Sequence, residues 1–246
     1  MSRDLLARRE RQALCDLALV LGEDAPTLSG DWTAKDLVTH LLLREHSLIG
    51  APGLLIQPLS RLTDLEMARI GKKDFTVLVE RLRGHGFTPY AIPAVDRAVN
   101  TLEYFVHHED LRRAQPGWTP RDLDRADESA LWSAIRVFGR GLVRPAGVPV
   151  KIRRTDTGAE ATLRRGADPA VLTGMPQEIV MFLYGRDQHR GLQFTGPDQH
   201  IDELRTAGPP ASTPSSGRPA ARGWARGRSC STAWTPTAPR TASTST

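Results

Sequence analysis

The chain has 246 residues, of which 39% are hydrophobic and 25% charged, and its formal net charge at pH 7 is +5. This profile is typical of a soluble globular protein with one large or two small domains. No run of about 18 uncharged apolar residues occurs, which excludes a membrane-spanning helix, and the N-terminus lacks the apolar segment of a secretory signal. The two cysteines, Cys15 and Cys230, cannot form a disulfide framework or a four-thiolate zinc site. The expected location is therefore cytoplasmic.

The excess positive charge lies in the last 39 residues. Residues 208–246 contain five arginines and no acidic residue, so residues 1–207 carry equal numbers of basic and acidic side chains. The segment consists almost entirely of Ala, Ser, Thr, Pro, Gly and Arg, and such a composition predicts a disordered tail. A basic interaction arm and a non-functional extension, for example from an out-of-frame read, both fit it. Five charges give little support to nucleic-acid binding, so no nucleic-acid partner is expected.

Hydrophobic periodicity predicts helices in the first part of the chain. They span 4–21, 33–48, 61–83, 94–114 and 127–140. The charged run at 8–11 is predicted to be a solvated helix face. Thr33 and Asp36 are spaced as a capping box at the start of the second helix. Together these segments predict an all-helical bundle over residues 1–145.

The pattern changes after Pro145. Strands are predicted over 148–154, 160–164, 170–173 and 191–195, and helices over 176–184 and 198–206. This mixture of short segments predicts a small α+β domain over residues 146–207. The fold class is therefore α+β, with a domain boundary near residue 145 and the tail at 208–246.

The predicted helix 94–114 carries two candidate metal ligands. Glu103 and His107 are four residues apart, so they lie on one helix face, beside the apolar stripe that turns to the interior. A carboxylate and an imidazole at this spacing can share one metal ion, and His40, among the leucines of the second helix, is the natural third ligand. On spacing alone the alternative stays open that Glu103 and His107 form a surface contact and that His40 is a hydrogen-bonded core residue.

Other motifs and histidines give weaker signals. No phosphate-binding glycine loop, C-x-x-C pair, H-E-x-x-H helix or nucleophile elbow occurs. His108 and Glu109 are predicted to form a solvated edge, although His108 could replace one of the ligands. The remaining histidines are predicted to be surface or loop residues, namely His46, His85, His189 and His200.

Two segments resemble a known family. DWTAKDLVTHLLLRE (31–45) and NTLEYFVHHEDLRRAQPGW (100–118) are similar to the actinobacterial DinB-like metal-binding proteins, relatives of mycothiol-dependent maleylpyruvate isomerase. The order W-T-x-x-D-L-x-x-H, followed by E-x-x-x-H in a later helix, is the signature of that superfamily, and HHEDLRRAQPGW resembles one uncharacterised subfamily. FLYGRDQHR (182–190) and FTG (194–196) also fit. The resemblance covers roughly residues 5–207.

The resemblance implies a DinB-like four-helix bundle in which His40, Glu103 and His107 bind a divalent metal ion, most often zinc. Open metal positions would accept water or a thiol. In the isomerase relatives a small thiol adds to an activated double bond, the bond rotates and the thiol leaves. Other relatives transfer the thiol to an electrophile. The implied partners are a small-molecule thiol such as mycothiol and an electrophilic substrate, bound by a monomer or homodimer.

Two further expectations follow from the resemblance. Arg186 is a candidate substrate-binding residue, because its guanidinium fork suits a carboxylate. The alternative is a surface arginine that caps the C-terminus of helix 176–184. For the protein as a whole, a thiol-dependent transferase or isomerase is the first hypothesis, and a non-catalytic metal-binding protein, such as a sensor or a structural bundle, is the alternative.

Overall fold

The structure is a computed structural model that describes residues 6–46, 67–84 and 93–207. The predicted tail at 208–246 and His85 lie outside these residues. None of the helices in the described ranges is long and apolar enough to cross a membrane.

The predicted sequence of helices followed by mixed elements is confirmed, and the chain is α+β. The helices are α1 (Leu6–Leu21), α2 (Ala34–His46), α3 (Phe75–Gly84), α4 (Pro93–Arg113), α5 (Arg125–Leu142), α6 (Pro176–Leu183) and α7 (Asp198–Thr206). A 3₁₀ helix spans Arg144–Ala146. The strands are β1 (Val150–Arg154), β2 (Glu160–Arg164), β3 (Ala170–Gly174) and β4 (Gln193–Thr195).

The predicted capping box at the start of α2 is confirmed. The Asp36 N–H donates to Thr33 Oγ1 at 3.3 Å, and the Thr33 N–H donates to Asp36 Oδ2 at 3.0 Å. These bonds satisfy backbone donors that the first helical turn leaves free. The box therefore holds the start of the helix that carries His40.

The prediction of one continuous helix over 61–83 is wrong in its middle. Residues 67–70 are helical, the chain turns at 71–73, and α3 begins at Phe75. Asp74 Oδ1 accepts the N–H of Val77 at 3.2 Å, so an Asx cap restarts the helix. Residues 61–66 of the prediction lie outside the described ranges.

The four strands form one mixed sheet in the order β2-β1-β3-β4. β1 pairs antiparallel with β2 and parallel with β3, and β4 pairs antiparallel with β3. Ile152 lies opposite Ala161 on one side and Leu172 on the other, and Leu172 lies opposite Phe194. Directly opposed residues share a sheet face, so this apolar row crosses the whole sheet. It packs in one hydrophobic cluster with α5, α6 and α7.

Helix α4 lies between two hydrophobic clusters. Leu102, Phe105 and Val106 pack with α5, the sheet and α6, whereas Tyr104 and Leu111 pack with α1, α2 and α3. Apolar neighbours on both sides leave α4 with little contact with solvent after Thr101, so its polar residues are buried as well. The domain boundary near residue 145 and the four-helix arrangement remain predictions.

Candidate metal centre

The three predicted metal ligands lie together. His40, Glu103 and His107 each offer one ligand atom, and these atoms lie within 4.8 Å of one another. Nε2 of His107 is 3.6 Å from Oε2 of Glu103, and the ring centroids of His40 and His107 are 5.4 Å apart. Two imidazoles and one carboxylate are a donor set that divalent zinc binds in proteins. The residues therefore fit a metal ion, and metal binding by them stays a prediction.

The cluster is accessible from one side. His107 is 7% exposed, whereas His40 and Glu103 are half-buried. The Trp32 ring packs against His40, with 4.9 Å between the ring centroids. His40 and Glu103 are therefore the more exposed members of the cluster, and His107 is the most deeply buried.

The protonation of the three side chains is set by burial and by their neighbours. Burial, together with the nearby charge of His107, lowers the pKa of His40 to about 3, so its imidazole is neutral at pH 7. Burial opposes ionisation of Glu103, but the ion pair with His107 and the charge of Arg44 lower its pKa to about 2. Burial also opposes the charged form of His107, but the hydrogen bond to Asp110 and the ion pair with Glu103 raise its pKa to about 9. His40 and Glu103 are thus in the forms that bind a cation, whereas His107 has to release a proton when it binds one.

Arg44 is a buried cation beside the cluster. Its Nε is 3.5 Å from Oε2 of Glu103, and its Nη1 donates to Oδ1 of Asn100 at 3.0 Å. The guanidinium therefore keeps Glu103 ionised. Sequence reasoning missed Arg44, although its position four residues after His40 places both side chains on one face of α2.

The buried side chain of Asp110 bonds His107 at the ring nitrogen that does not face Glu103. Oδ2 of Asp110 is 3.1 Å from Nδ1 of His107, and the Asp110 side chain has no exposed area. Arg186 Nε donates to Asp110 Oδ1 at 2.8 Å, and its Nη2 donates to Asp110 Oδ2 at 2.7 Å. The Ser29 hydroxyl donates to Asp110 Oδ2 at 2.9 Å. Asp110 and Ser29 were missed by the sequence analysis.

Arg186 is a buried residue. It is 7% exposed, so the alternative of a surface arginine is wrong, although its Nη1 does donate to the carbonyl oxygen of Tyr184 just after α6, at 2.6 Å. The carboxylate on its guanidinium is that of Asp110. The substrate-binding role of Arg186 stays a prediction.

Comparison with known proteins gives a fold relationship. No family model and no curated protein matches the chain. Two solved structures match, each with 16% identity over 77% of this chain and 90% of the other chain. One is mycothiol-dependent maleylpyruvate isomerase, with a TM-score of 0.53, and the other is a variant of that isomerase with one histidine replaced by alanine, with a TM-score of 0.54. The chain shares the fold of this isomerase. At 16% identity the likeness concerns the fold alone.

In this isomerase-like fold, two predicted solvated faces are buried instead. Glu10 of the run at 8–11 bonds Nδ1 of His108 at 2.7 Å and accepts two hydrogen bonds from Arg121, at 3.0 and 2.9 Å. Arg121 also lies 2.7 Å from Glu109, which has no exposed side-chain area. The reason is that α1 packs along α4, so charges on the facing sides pair with each other. His108 is therefore bound to Glu10, while Arg8 in the same run is exposed.

The remaining histidines are peripheral to the cluster. His189 is half-buried, with its ring 5.7 Å from that of Phe182, and His200 bonds the carbonyl oxygen of Asp168 through Nδ1 at 2.8 Å. The side chain of His46 and all of His85 lie outside the described residues. Among the described residues, His40, Glu103 and His107 are the His, Cys, Asp and Glu side chains that group closely enough for one ion.

Proposed function

We propose that this chain is a divalent-metal-binding, thiol-dependent enzyme, a transferase or an isomerase. In this proposal a small thiol of the mycothiol type attacks an electrophilic small molecule. The observation that carries it is the convergence of ligand atoms from His40, Glu103 and His107 within 4.8 Å, on the fold of an enzyme that depends on mycothiol. Zinc is the proposed metal, membership of the actinobacterial DinB-like subfamily is the proposed ancestry, and the cytoplasm is the proposed location.

The chemistry rests on an open metal position. A divalent ion held by three protein ligands leaves room for a thiol and favours its thiolate form, which is the nucleophile. The chain's own residues prepare the site: Glu103 supplies the negative charge, His40 supplies a neutral nitrogen, and Arg44 keeps Glu103 ionised. His40 and Glu103 are half-buried, and the proposal has thiol and substrate approach on their side.

Arg186 is the residue that we propose for an anionic substrate group, on the basis of the sequence. Its guanidinium bonds both carboxylate oxygens of Asp110. A substrate carboxylate would therefore have to compete with Asp110 for this guanidinium.

The first test of the function is metal content. Metal-free protein reloaded with Zn²⁺ should retain about one ion per chain, as a three-ligand site predicts. His40→Ala and His107→Ala should lose the ion while the far-UV circular dichroism spectrum stays unchanged. His200→Ala is the matched control and should keep the ion. Retention of Zn²⁺ by both cluster variants would contradict the site.

The second test separates catalysis from metal binding alone. Zinc-loaded protein is assayed with mycothiol and a chromogenic electrophile, and product formation should depend on both the metal and the thiol. His107→Ala should lose this activity. Metal binding without thiol-dependent turnover would instead support the non-catalytic alternative, a sensor or a structural bundle.

A further inference from the structure

A chain of hydrogen bonds connects the α+β part of the protein to the candidate metal centre. It runs from Arg186, just after α6, to Asp110 in α4, and from there to His107. Ser29, in the segment between α1 and α2, joins it through Asp110 and also lies 3.1 Å from Nη2 of Arg186. Three segments distant in sequence therefore meet at one carboxylate.

The two ring nitrogens of His107 have different partners. Nδ1 is bonded to Asp110 at 3.1 Å, and Nε2 is 3.6 Å from Glu103 on the side where His40 lies. A carboxylate on one ring nitrogen fixes the tautomer and the ring plane, so that the other nitrogen is available to a metal ion. Asp110 thus determines which nitrogen of His107 faces the cluster.

Asp110 is itself held at both oxygens. The Arg186 fork bonds Oδ1 and Oδ2, and the Ser29 hydroxyl bonds Oδ2. The backbone carbonyl of Asp110 accepts the N–H of Leu28 at 3.1 Å, which ties the same segment to α4. Because the pair is buried, rotating Asp110 would leave the arginine charge without a partner at high cost. Arg186 therefore restricts the position of Asp110.

We infer that Asp110 and Arg186 are positioning residues of the metal centre. Arg186 fixes Asp110, and Asp110 holds His107 with Nε2 toward His40 and Glu103. The α+β part of the chain in this way sets the metal affinity of a site whose ligands all lie on α2 and α4. This inference rests on the proposed metal-binding function and assigns Arg186 a role different from substrate binding.

The test measures Zn²⁺ affinity on metal-free full-length protein by competition with a chromophoric chelator. Asp110→Asn keeps the shape of the side chain but weakens its hold on His107 and on Arg186. Its Zn²⁺ affinity should fall roughly 10- to 100-fold, the usual effect of removing such an outer partner. Arg186→Met should also weaken Zn²⁺ binding, and Arg186→Lys, which keeps the charge, should recover part of the loss.

Arg113→Met is the matched control. Arg113 is as deeply buried as Arg186 and also joins α4 to the α+β part, through two 2.8 Å bonds to Glu178. It also donates to Glu109 of its own helix. It does not contact His107. The control should lower the denaturant midpoint and leave the Zn²⁺ affinity at the wild-type value. An equal loss of affinity in Arg113→Met and Arg186→Met would overturn the positioning role, because general destabilisation would then account for both.

A measurement on the zinc-loaded wild type covers the case in which a variant does not fold. Side-chain ¹⁵N–¹H NMR should show His107 with a protonated Nδ1 that exchanges slowly and a metal-bound Nε2. Metal on Nδ1 would overturn the inference. A wild type that binds no Zn²⁺ would contradict the proposed metal centre itself. Normal Zn²⁺ affinity in Asp110→Asn would contradict the positioning role alone. Normal affinity with a raised KM in Arg186→Met would support substrate binding instead.

Discussion

Most buried charges in the described part of the chain have a partner of opposite charge. Glu109 has no exposed side-chain area, and although burial opposes its ionisation, Arg112, Arg121 and Arg113 lower its pKa to about 2.

Glu128 is a buried carboxyl group without such an arginine partner at hydrogen-bond distance among the described residues. It is 1% exposed, its Oε2 accepts the N–H of Gln177 at 3.0 Å, and its Oε1 has no hydrogen-bond partner among the residues that the structure describes. Burial raises the pKa of Glu128 to about 7.

Glu128 should make stability depend on pH. Because its pKa is raised in the folded protein, the folded state holds a proton that the unfolded state releases above a pKa of 4.5. The stability that the proton on Glu128 gives the folded state is therefore fully present below pH 4.5. It is lost as the pH rises through 7. Glu128→Gln should remove this dependence and be more stable than wild type at pH 8 by on the order of 2 kcal/mol. Urea unfolding of wild type and Glu128→Gln at pH 5 and pH 8 measures this difference in the free energy of unfolding.

The exposed Glu23→Gln is the control for this experiment. It should keep the pH profile of the wild type. A parallel shift of the Glu128→Gln curve at both pH values would show that the substitution changes packing and that the proton plays no part.

At the residue scale, the sequence predicted the cluster but missed its supports. His40, Glu103 and His107 are detectable because helical spacing and an apolar surround are local signals. Asp110 and Arg186 are 76 positions apart. Hydrophobic periodicity cannot predict such a pair, because the pair forms only when α6 packs near α4. The same limit explains the wrong prediction for Glu10, since charges are expected at the surface unless a partner is known.

At the element scale, boundaries followed the local chemistry. The capping box placed the start of α2 to within one residue, and the strands and the last two helices were predicted close to their observed limits. The break at 71–73 was missed because the apolar spacing continues through it, while the signal for a new start is the single residue Asp74. Periodicity therefore identifies helices better than it identifies interruptions.

Two glycines of α5 should respond oppositely to the same substitution. A Cβ at Gly139 would lie 3.0 Å from Leu163 Cδ2 and 3.1 Å from Ile135 Cγ2, whereas a Cβ at Gly141 would have nothing within 4 Å. Gly141→Ala should stabilise the protein by about 0.5 kcal/mol, since alanine loses less backbone entropy in a helix. Gly139→Ala should destabilise it by about 1 kcal/mol through overpacking.

Urea midpoints of the two glycine variants give the comparison directly. Because both changes add one methyl group to the same helix, they share the propensity gain and differ in the contact with β2. Stabilisation by Gly139→Ala would show that Leu163 moves aside at little cost, and that the contact between α5 and β2 is looser than the distances indicate.

At the scale of the whole molecule, α4 couples the two hydrophobic clusters. Leu102 and Phe105 need the sheet and α6 for their burial, while Glu103 and His107 on the same helix need α2 to lie beside His40. The helical part predicted over 1–145 thus depends for one face of α4 and α5 on residues from 146–207. A substitution that destabilises either part should therefore also destabilise the other.

Truncation tests this dependence. A chain ending at residue 145 would expose Phe105 and Ile135, both fully buried in the structure, and would lose Arg186. Burial of each such side chain contributes about 1.5–3 kcal/mol, so this chain should unfold without a cooperative transition and bind Zn²⁺ weakly.

A chain of residues 1–207 is the control for the truncation, because it keeps both hydrophobic clusters of the described residues. It should match the full chain in its thermal transition and in its Zn²⁺ affinity. A cooperative transition and full Zn²⁺ affinity in 1–145 would contradict the dependence. They would also contradict a role for Arg186 at the metal centre, since that chain lacks the guanidinium that holds Asp110 against His107.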